Sequence, residues 1–150
     1  MRILLQRCTT GSVAVENNTV GQISMGAVLF VGISENDTST IVQKMAEKVV
    51  NLRIFSNAAG KFAHSLLDIG GQLLIVSQFT LYADLSKGRR PSFSKAAHPS
   101  KAETLFLEFI QATKNLGVAR VETGIFGANM QVTLCNDGPV TIWLDTDSLY

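Results

Sequence analysis

The sequence has little of several features that mark common protein classes. Among its 150 residues there are only two cysteines, Cys8 and Cys135, without a CxxC or Cys/His spacing, which argues against a disulfide framework and a zinc site. Its 13 Lys and Arg nearly balance its 12 Asp and Glu, which argues against a generally basic nucleic-acid coat protein and an acidic tail. Arg7 interrupts the first apolar residues too early for a signal peptide, and no uncharged apolar run reaches the ~18 residues of a membrane span. We therefore expect a cytoplasmic protein.

Familiar catalytic signatures are also scarce. His64 and His98 are the only histidines, so a Ser-His or Cys-His arrangement has few possible bases. No GxSxG, HExxH or GxxxxGK[ST] pattern occurs, which leaves conventional serine, zinc and nucleotide chemistry without support. We expect an enzyme, if it is one, to work without a metal or another cofactor.

What is present predicts one α+β domain that spans residues 1–150. Short β-type runs separated by turn signals predict an antiparallel meander in the first third. Asp37 or Thr38 is expected to cap a first helix, and a capping-box pattern at residues 100–103 to open a second helix that ends at Gly117. The predicted strands cover residues 3–7, 12–15, 19–23, 27–33, 72–80, 119–122, 131–135 and 140–144.

Positive charge is concentrated in residues 86–101, which we call the basic loop. These 16 residues contain five of the 13 Lys and Arg and no acidic residue. Such a loop either follows a phosphate backbone or is simply a solvated surface loop, and charge alone does not separate the two interpretations. The positive side chains are Lys87, Arg89, Arg90, Lys95 and Lys101.

Two short segments carry unusual side chains for their positions. Residues 77–80 place polar groups at the end of the most apolar strand, where they either hydrogen-bond within the fold or line a cleft. Residues 136–141 lie between two predicted strands, and Asp137-Gly138 is a hairpin signal. Pro139 directly after Gly138 removes a backbone donor and permits a cis peptide, which about 5–6% of X–Pro bonds in folded proteins adopt.

Taken together, these segments resemble the D-aminoacyl-tRNA deacylase family, also called D-tyrosyl-tRNA deacylases. The resemblance runs almost from end to end, and the ordered pair Ser-Gln-x-Thr and Asn-x-Gly-Pro-x-Thr is its most specific part. It implies a mainly antiparallel, barrel-like β core with two principal covering helices. The matching segments are Gln6-Arg7 and residues 51–55, 70–71, 77–84, 87–93, 121–124, 126–130 and 136–141.

The resemblance implies hydrolysis of the ester that joins a D-amino acid to the terminal adenosine of tRNA. It also implies an obligate homodimer with two active sites at the interface, and no membrane or DNA partner. The expected catalytic residues are Ser77, Gln78, Phe79 and Thr80, here called the catalytic segment. A cis peptide between Gly138 and Pro139 of one protomer is expected to face them from the other.

Further site residues are expected from the same resemblance. Arg7 and Asn136 support the Gly138-Pro139 peptide, while the terminal adenine binds in a pocket formed by Phe126, Gly127 and Met130. The basic loop lies along the acceptor end of the tRNA, with contacts from Lys87, Arg89 and Arg90.

Stereochemistry gives this arrangement a physical rationale. A cis Gly138-Pro139 unit points two successive carbonyl oxygens the same way. These oxygens can accept hydrogen bonds from the α-ammonium of the substrate, and the unit leaves no room for an L side chain. Rejection by backbone ignores side-chain chemistry, so glycyl-tRNA is expected to be a substrate as well. Backbone N–H groups near Phe79 and Thr80 are expected to stabilise the oxyanion. Thr80 is either a nucleophile or, as we favour, a support for a reaction assisted by the ribose 2′-hydroxyl.

Two alternatives to this function stay open at the level of sequence. One is a non-catalytic module that binds a tRNA end through the basic loop and the pocket around Phe126 and Met130. The other is a related deacylase type with a trans Gly-Pro peptide that removes small L-amino acids. Ser77 and Arg7 favour the D-specific type.

Overall fold

One long strand organises the fold of the computed structural model, which describes residues 1–150. The strands are β1 (Arg2–Val15), β2 (Asn18–Ile23), β3 (Gly26–Gly32), β4 (Phe55–Ser56), β5 (Phe62–His64), β6 (Gln72–Ser77), β7 (Arg120–Thr123) and β8 (Gln131–Asp145). The long strand β1 is antiparallel to β8 along one edge, and along its other edge to β3 and then β2. From β3 the sheet continues through β6 to β7 by two parallel pairings, and β4 and β5 form a separate hairpin.

The sheet curls until β2 comes into contact with β6 and β7, which nearly closes it. Two glycines permit this approach. A Cβ atom on Gly21 would lie 2.8 Å from the carbonyl oxygen of Thr123 in β7, and one on Gly11 would lie 2.8 Å from the side chain of Val28 in β3. The predicted α+β domain with a barrel-like β core is therefore confirmed, with three antiparallel and two parallel pairings in its main sheet.

The central strands β3 and β6 are buried on both faces, which explains why their sequences are apolar without alternation. Helices α1 (Ser39–Asn51) and α2 (Pro99–Asn115) cover one face and form the larger core with it, while a short α3 (Thr146–Leu149) ends the chain. The other face packs inside the curl. That inner cluster consists of Cys8, Val13, Ile23, Val28, Leu74 and Val76.

The helix caps follow the sequence in part. Thr38 caps α1, with its hydroxyl oxygen accepting from the backbone N–H of Ile41 at 3.4 Å. Asp37, the other candidate, instead binds the ammonium group of Met1 and the N–H of Ser34. The capping box predicted at residues 100–103 is wrong, because α2 begins at Pro99, whose ring favours the first helical position. Gly117, at φ +92, follows the end of α2 as predicted.

Two pairs of predicted strands are each one continuous strand. Residues 3–7 and 12–15 both belong to β1, and residues 131–135 and 140–144 both belong to β8. Asn136 pairs with Cys8 and Thr141 with Gln6, so β8 follows β1 on both sides of the Gly138-Pro139 peptide. The hairpin indicated by Asp137-Gly138 does not form, because the chain bulges there without reversing. No helix in the structure combines the length and the apolarity that crossing a membrane requires.

Candidate active site

A cavity of about 640 Å³ lies where the end of β6, the end of the basic loop, the start of α2 and the segment before β8 meet. Thirteen of its 19 lining residues are hydrophobic. It brings together two groups of predicted site residues that are about 50 positions apart in sequence. These are Ser77, Gln78 and Phe79 from the catalytic segment, and Phe126, Gly127 and Met130 from the predicted adenosine pocket.

The catalytic segment marks the point where β6 turns into a 3₁₀ helix, Phe79–Tyr82. Ser77 pairs with Val31 of β3, whose carbonyl oxygen then accepts from the N–H of Gln78 at 2.8 Å. Gln78 in turn donates from Nε2 to the hydroxyl oxygen of Thr80 at 2.5 Å. Phe79 and Thr80 are the first two residues of the 3₁₀ helix, so their N–H groups have no acceptor within it.

One contact joins the basic loop to the cavity, and a second pair of contacts closes the start of the loop. The rings of Phe79 and Phe93 meet edge to face, with their centroids 4.9 Å apart. Asp84 and Ser92 exchange two backbone hydrogen bonds of 2.7 and 3.0 Å, which close the loop at its base. The Ser86 side chain and N–H also bond the Asp84 carboxylate and lower its pKa.

The predicted tRNA-contacting side chains lie beyond that base. Lys87, Arg89 and Arg90 are all exposed, and none of them forms a salt bridge with another side chain. Lys101, at the far end of the basic loop, instead approaches Glu35 to 4.0 Å. The three exposed cations are therefore available to anionic groups from outside.

The predicted adenosine residues form one wall of the cavity. Phe126 packs against Phe106 of α2 with ring centroids 6.0 Å apart, and Gly127 follows it at φ +74. Met130 lies against Gly124, where a Cβ atom would be only 2.3 Å from the methionine sulfur. The position of Met130 in this wall therefore requires glycine at residue 124, because a side chain there would collide with the methionine sulfur.

The other predicted group forms a projection from the sheet. Residues 137–140 of β8, here called the Gly-Pro loop, stand opposite Arg7 alone, since the pairing passes from Cys8 with Asn136 to Gln6 with Thr141. Asn136 closes this loop: its side chain accepts from the N–H of Val140 at 3.0 Å and donates to the Thr141 hydroxyl at 2.9 Å.

Arg7 supports the same loop from below. Its side chain is buried, with 8% of the residue exposed, and its Nε lies 3.1 Å from both the carbonyl oxygen and Oδ2 of Asp137. Gly138 has φ +125, where a Cβ atom would lie 3.1 Å from Nη2 of Arg7. The Gly138–Pro139 peptide is cis, as the resemblance predicts.

Within one protomer the two groups remain apart. Gly138, Pro139, Arg7, Asn136 and Thr80 are not among the residues that line the cavity. Gly138 and Pro139 are exposed to solvent, as is Thr80. The chain therefore presents a concave site and, separately, a braced projection.

Thirteen of the 19 lining residues were not predicted as site residues, and Phe93 and His98 are two of them. Phe93 lies within a matching segment but carries no polar group that would point to chemistry, and His98 is an isolated histidine before Pro99. The backbone N–H of His98 donates to the Glu35 carboxylate at 2.5 Å, and the Nδ1 atom of His98 lies 3.0 Å from the Ser100 hydroxyl oxygen. No three His, Cys, Asp or Glu side chains come close enough to form a metal site.

Comparisons with known proteins show which family the chain belongs to. The family model described as D-Tyr-tRNA(Tyr) deacylase matches residues 4–145. A protein from Thermomicrobium roseum named D-aminoacyl-tRNA deacylase is 53% identical over 149 residues, which cover 99% of this chain and 96% of the relative. One of the same name from Thermosipho africanus is 51% identical over all 150 residues, with both chains covered completely.

Solved structures show the same fold. A structure titled c-Myc DNA Unwinding Element Binding Protein superposes with a TM-score of 0.92 at 36% identity, covering 97% of this chain and 99% of the other. A second, titled as a probable eukaryotic D-amino acid tRNA deacylase, has a TM-score of 0.83 at 17% identity and covers 95% of this chain and 97% of the other.

Proposed function

Since this chain belongs to the D-Tyr-tRNA(Tyr) deacylase family and hydrolyses the ester bond of D-aminoacyl-tRNA, we propose that it divides the reaction between its cavity and its Gly-Pro loop. The cavity binds the terminal adenosine and the ester. The loop enters the cavity of a second protomer and tests the configuration of the amino acid. The observation that carries this proposal is the separation, within one chain, of a lined cavity from a braced projection that does not reach it.

The adenosine assignment is supported by the chemistry of the cavity wall. A nucleobase is flat and largely apolar on its faces, which suits the Phe126 ring and the Met130 thioether. The same cavity contains Ser77, Gln78 and Phe79, so an adenosine held by this wall has its ribose ester within reach of the catalytic segment.

The chemical step uses backbone donors rather than an activated nucleophile. Water adds to the ester carbonyl carbon, and the oxyanion that forms accepts hydrogen bonds from the N–H groups of Phe79 and Thr80. One such donor typically lowers the barrier by about 2.7–4 kcal/mol. The bond to the ribose oxygen then breaks, which releases the free D-amino acid and the tRNA with its terminal hydroxyl restored.

Thr80 supports this step. Its hydroxyl oxygen already accepts from the Gln78 amide at 2.5 Å, and no basic side chain is hydrogen-bonded to it. A threonine hydroxyl without a base is a weak nucleophile at neutral pH. The ribose 2′-hydroxyl of the substrate takes the assisting role, and Thr80 and Gln78 hold the turn in which the oxyanion donors lie.

Chiral selection rests on the Gly-Pro loop. The carbonyl oxygens of Gly138 and Pro139 accept from the α-ammonium of the substrate, and the loop backbone occupies the space into which an L side chain would project. Arg7 and Asn136 hold this backbone in place, so that the L ester cannot push it aside. Glycine has no side chain to reject, and glycyl-tRNA is therefore hydrolysed as well.

A homodimer with two sites at its interface follows from this assignment. A twofold axis that carries the loop of one protomer into the cavity of its partner does the same in reverse, so both sites form together. The exposed apolar surface near the two groups is available for such contact: Phe79 is 58% exposed and Trp143, on β8 beyond the loop, is 50% exposed. We place the enzyme in the cytoplasm, where its tRNA substrate is charged.

The test of chiral selection compares matched esters. Purified protein treated with a chelator is expected to hydrolyse D-Tyr-tRNA and Gly-tRNA and to leave L-Tyr-tRNA at its spontaneous rate. Loss of small L-aminoacyl esters, with the D ester intact, would instead assign the chain to the type that removes L-amino acids.

The test of the shared site uses two variants that are each defective in a different half. Gly138→Ala distorts the loop, and Ala128→Trp fills the cavity beside the adenosine wall. After unfolding and refolding of an equal mixture, half of the dimers are mixed and each has one intact site, so about a quarter of the wild-type activity returns. Refolded samples of each variant alone serve as controls. No recovery in the mixture would mean that loop and cavity do not combine across protomers.

A further inference from the structure

The guanidinium group of Arg7 has a second side that the Gly-Pro loop does not use. Its Nη1 donates to the carbonyl oxygen of Ile54 at 2.6 Å, just before β4. Its Cζ lies 5.7 Å from the centroid of the Phe62 ring, at the start of β5. The β4–β5 hairpin, residues 54–64, therefore holds the side of Arg7 that faces away from Asp137 and Gly138.

The hairpin itself is well fixed for this purpose. Ser56 pairs with Phe62, and Phe55 with His64. The turn between the two strands is shaped by Asn57, whose side-chain oxygen accepts from the N–H groups of Ala59 at 3.0 Å and Lys61 at 3.1 Å. Phe62 thus has a defined position relative to Arg7 although it lies next to a surface turn.

Burial in the core does not explain why a phenylalanine occupies position 62. The residue is 56% exposed and belongs to neither core cluster of the protein. The face of an aromatic ring is, however, a favourable neighbour for a guanidinium cation within about 6 Å. Arg7 needs such a neighbour, because it is buried while Asp137, the only carboxylate paired with it, is half exposed to solvent.

We propose that Phe62 is a positioning residue that acts through Arg7 on the Gly-Pro loop, and thereby on the discrimination between D and L esters. This inference rests on the proposed function of that loop. The Ile54 carbonyl and the Phe62 ring fix the orientation of the guanidinium plane, and the plane fixes Asp137 and Gly138 on its other side.

The experiment replaces the ring while keeping an apolar side chain. Phe62→Leu is expected to lower the ratio of D-Tyr-tRNA to L-Tyr-tRNA hydrolysis by about two- to fivefold, the range of one exposed cation–π contact. Phe62→Tyr retains the ring and is expected to keep the wild-type ratio. Rates are measured with enzyme in excess, and the ratio divides the rate of D-Tyr-tRNA loss by the total rate of L-Tyr-tRNA loss, spontaneous hydrolysis included, so that it has a finite value for the wild type. Leu107→Ala, at an exposed apolar position on α2, is the control for nonspecific effects.

A double-mutant cycle with Arg7→Gln tests the route of the effect, because glutamine keeps an amide donor but has no cation to lie over the ring. If Phe62 acts through Arg7, the change caused by Phe62→Leu disappears when glutamine replaces the guanidinium group. Equal losses in the leucine and tyrosine variants, additive losses in the cycle, or an unchanged ratio for Phe62→Leu would each overturn the inference. Should Arg7→Gln itself leave the ratio unchanged, the proposed role of the Gly-Pro loop would fail. An effect of Arg7→Gln without one of Phe62→Leu would remove only the role of Phe62.

Discussion

The cavity and the Gly-Pro loop are built in opposite ways. The cavity takes its shape from side chains of several segments that pack together, and most of its lining is apolar. The loop is a single stretch of backbone, held by polar contacts from Arg7 and Asn136. In the proposed function, packed apolar walls suit the terminal adenosine, which every substrate shares. A fixed backbone suits the configuration at one carbon atom, since it responds to shape and not to side-chain chemistry.

This difference has a consequence for the sensitivity of each region to substitution. A wall made of many side chains loses its contacts one at a time, so substitutions there reduce activity in steps. The loop depends on one unusual backbone conformation, so a substitution that prevents this conformation is expected to disturb the whole loop at once. The predictions that follow test this contrast, beginning with the largest expected effect.

Gly138→Ala should produce the largest loss. The residue has φ +125, and an added Cβ would lie 2.8 Å from the Val140 side chain and 3.1 Å from Arg7, so the loop must move. A displaced backbone of this kind costs about 1–3 kcal/mol, which corresponds to a decrease in kcat/KM for D-Tyr-tRNA of about five- to 150-fold. Gly70→Ala is the matched control, since Gly70 also has positive φ but has no atom near the added Cβ. Wild-type kcat/KM in Gly138→Ala would contradict the assignment of the loop.

Thr80→Ala should reduce turnover by a smaller amount. The change removes the hydroxyl that accepts from Gln78, a contact worth about 1 kcal/mol, and so loosens the turn that presents the oxyanion donors. We expect kcat to fall by roughly five- to tenfold, and Thr80→Ser to restore most of it. Complete loss of turnover in a folded Thr80→Ala variant would identify Thr80 as the nucleophile and contradict its role as a support.

Replacing both Arg89 and Arg90 by alanine should act on binding alone. Each arginine that contacts a phosphate contributes about one unit to the slope of log affinity against log salt, so the slope should decrease by about two. The hydrolysis rate at saturating substrate should stay at the wild-type value, because neither residue lines the cavity. Alanines at Lys44 and Lys114, exposed on α1 and α2, provide a variant of equal charge. An unchanged salt slope would mean that the basic loop is only a solvated surface.

The smallest effect concerns the strand beneath the Gly-Pro loop. Cys8 follows Arg7 in β1 and is buried in the inner cluster, and that burial raises its pKa to about 11. Iodoacetamide at pH 8 should therefore label exposed Cys135 and leave Cys8 unmodified, as peptide mass spectrometry would show. A thiol whose pKa is raised in the folded state stabilises the fold at low pH, and this contribution is lost as the pH rises from 9.0 through about 11. Equal labelling of both thiols at pH 8 would indicate that β1 opens under the loop.

Local patterns in the sequence account for much of the fold. Apolar runs without alternation mark β3 and β6, and helical spacing of apolar residues marks α1 and α2. The start of α2 was predicted wrongly because the capping-box pattern and Pro99 compete for the first turn, and proline is the stronger determinant there. The strand breaks were predicted wrongly because turn residues within a bulge resemble turn residues between strands.

The candidate site, like the fold, is only partly visible in the sequence. The polar residues after β6, the Gly-Pro pair and the basic loop are all visible in the sequence, because each departs from the residue types expected at its position. The contacts of Arg7 with Asp137, Ile54 and Phe62 have no local signal. They join residues that are dozens of positions apart, and a single sequence carries no mark of which distant strands will pair.

The sequence by itself thus determined where most helices and strands of this protein lie, and it indicated many of the residues proposed for its site. The tertiary structure decided how these residues come together: only the pairing of β1 with β8 places Arg7 opposite the Gly-Pro loop, and only the packing of α2 against the sheet joins residues 77–79 and 126–130 in one cavity. The physical reason is that secondary structure follows from local sterics and the period of apolar residues. A site formed across strands follows from long-range pairing and core packing, which are properties of the whole chain.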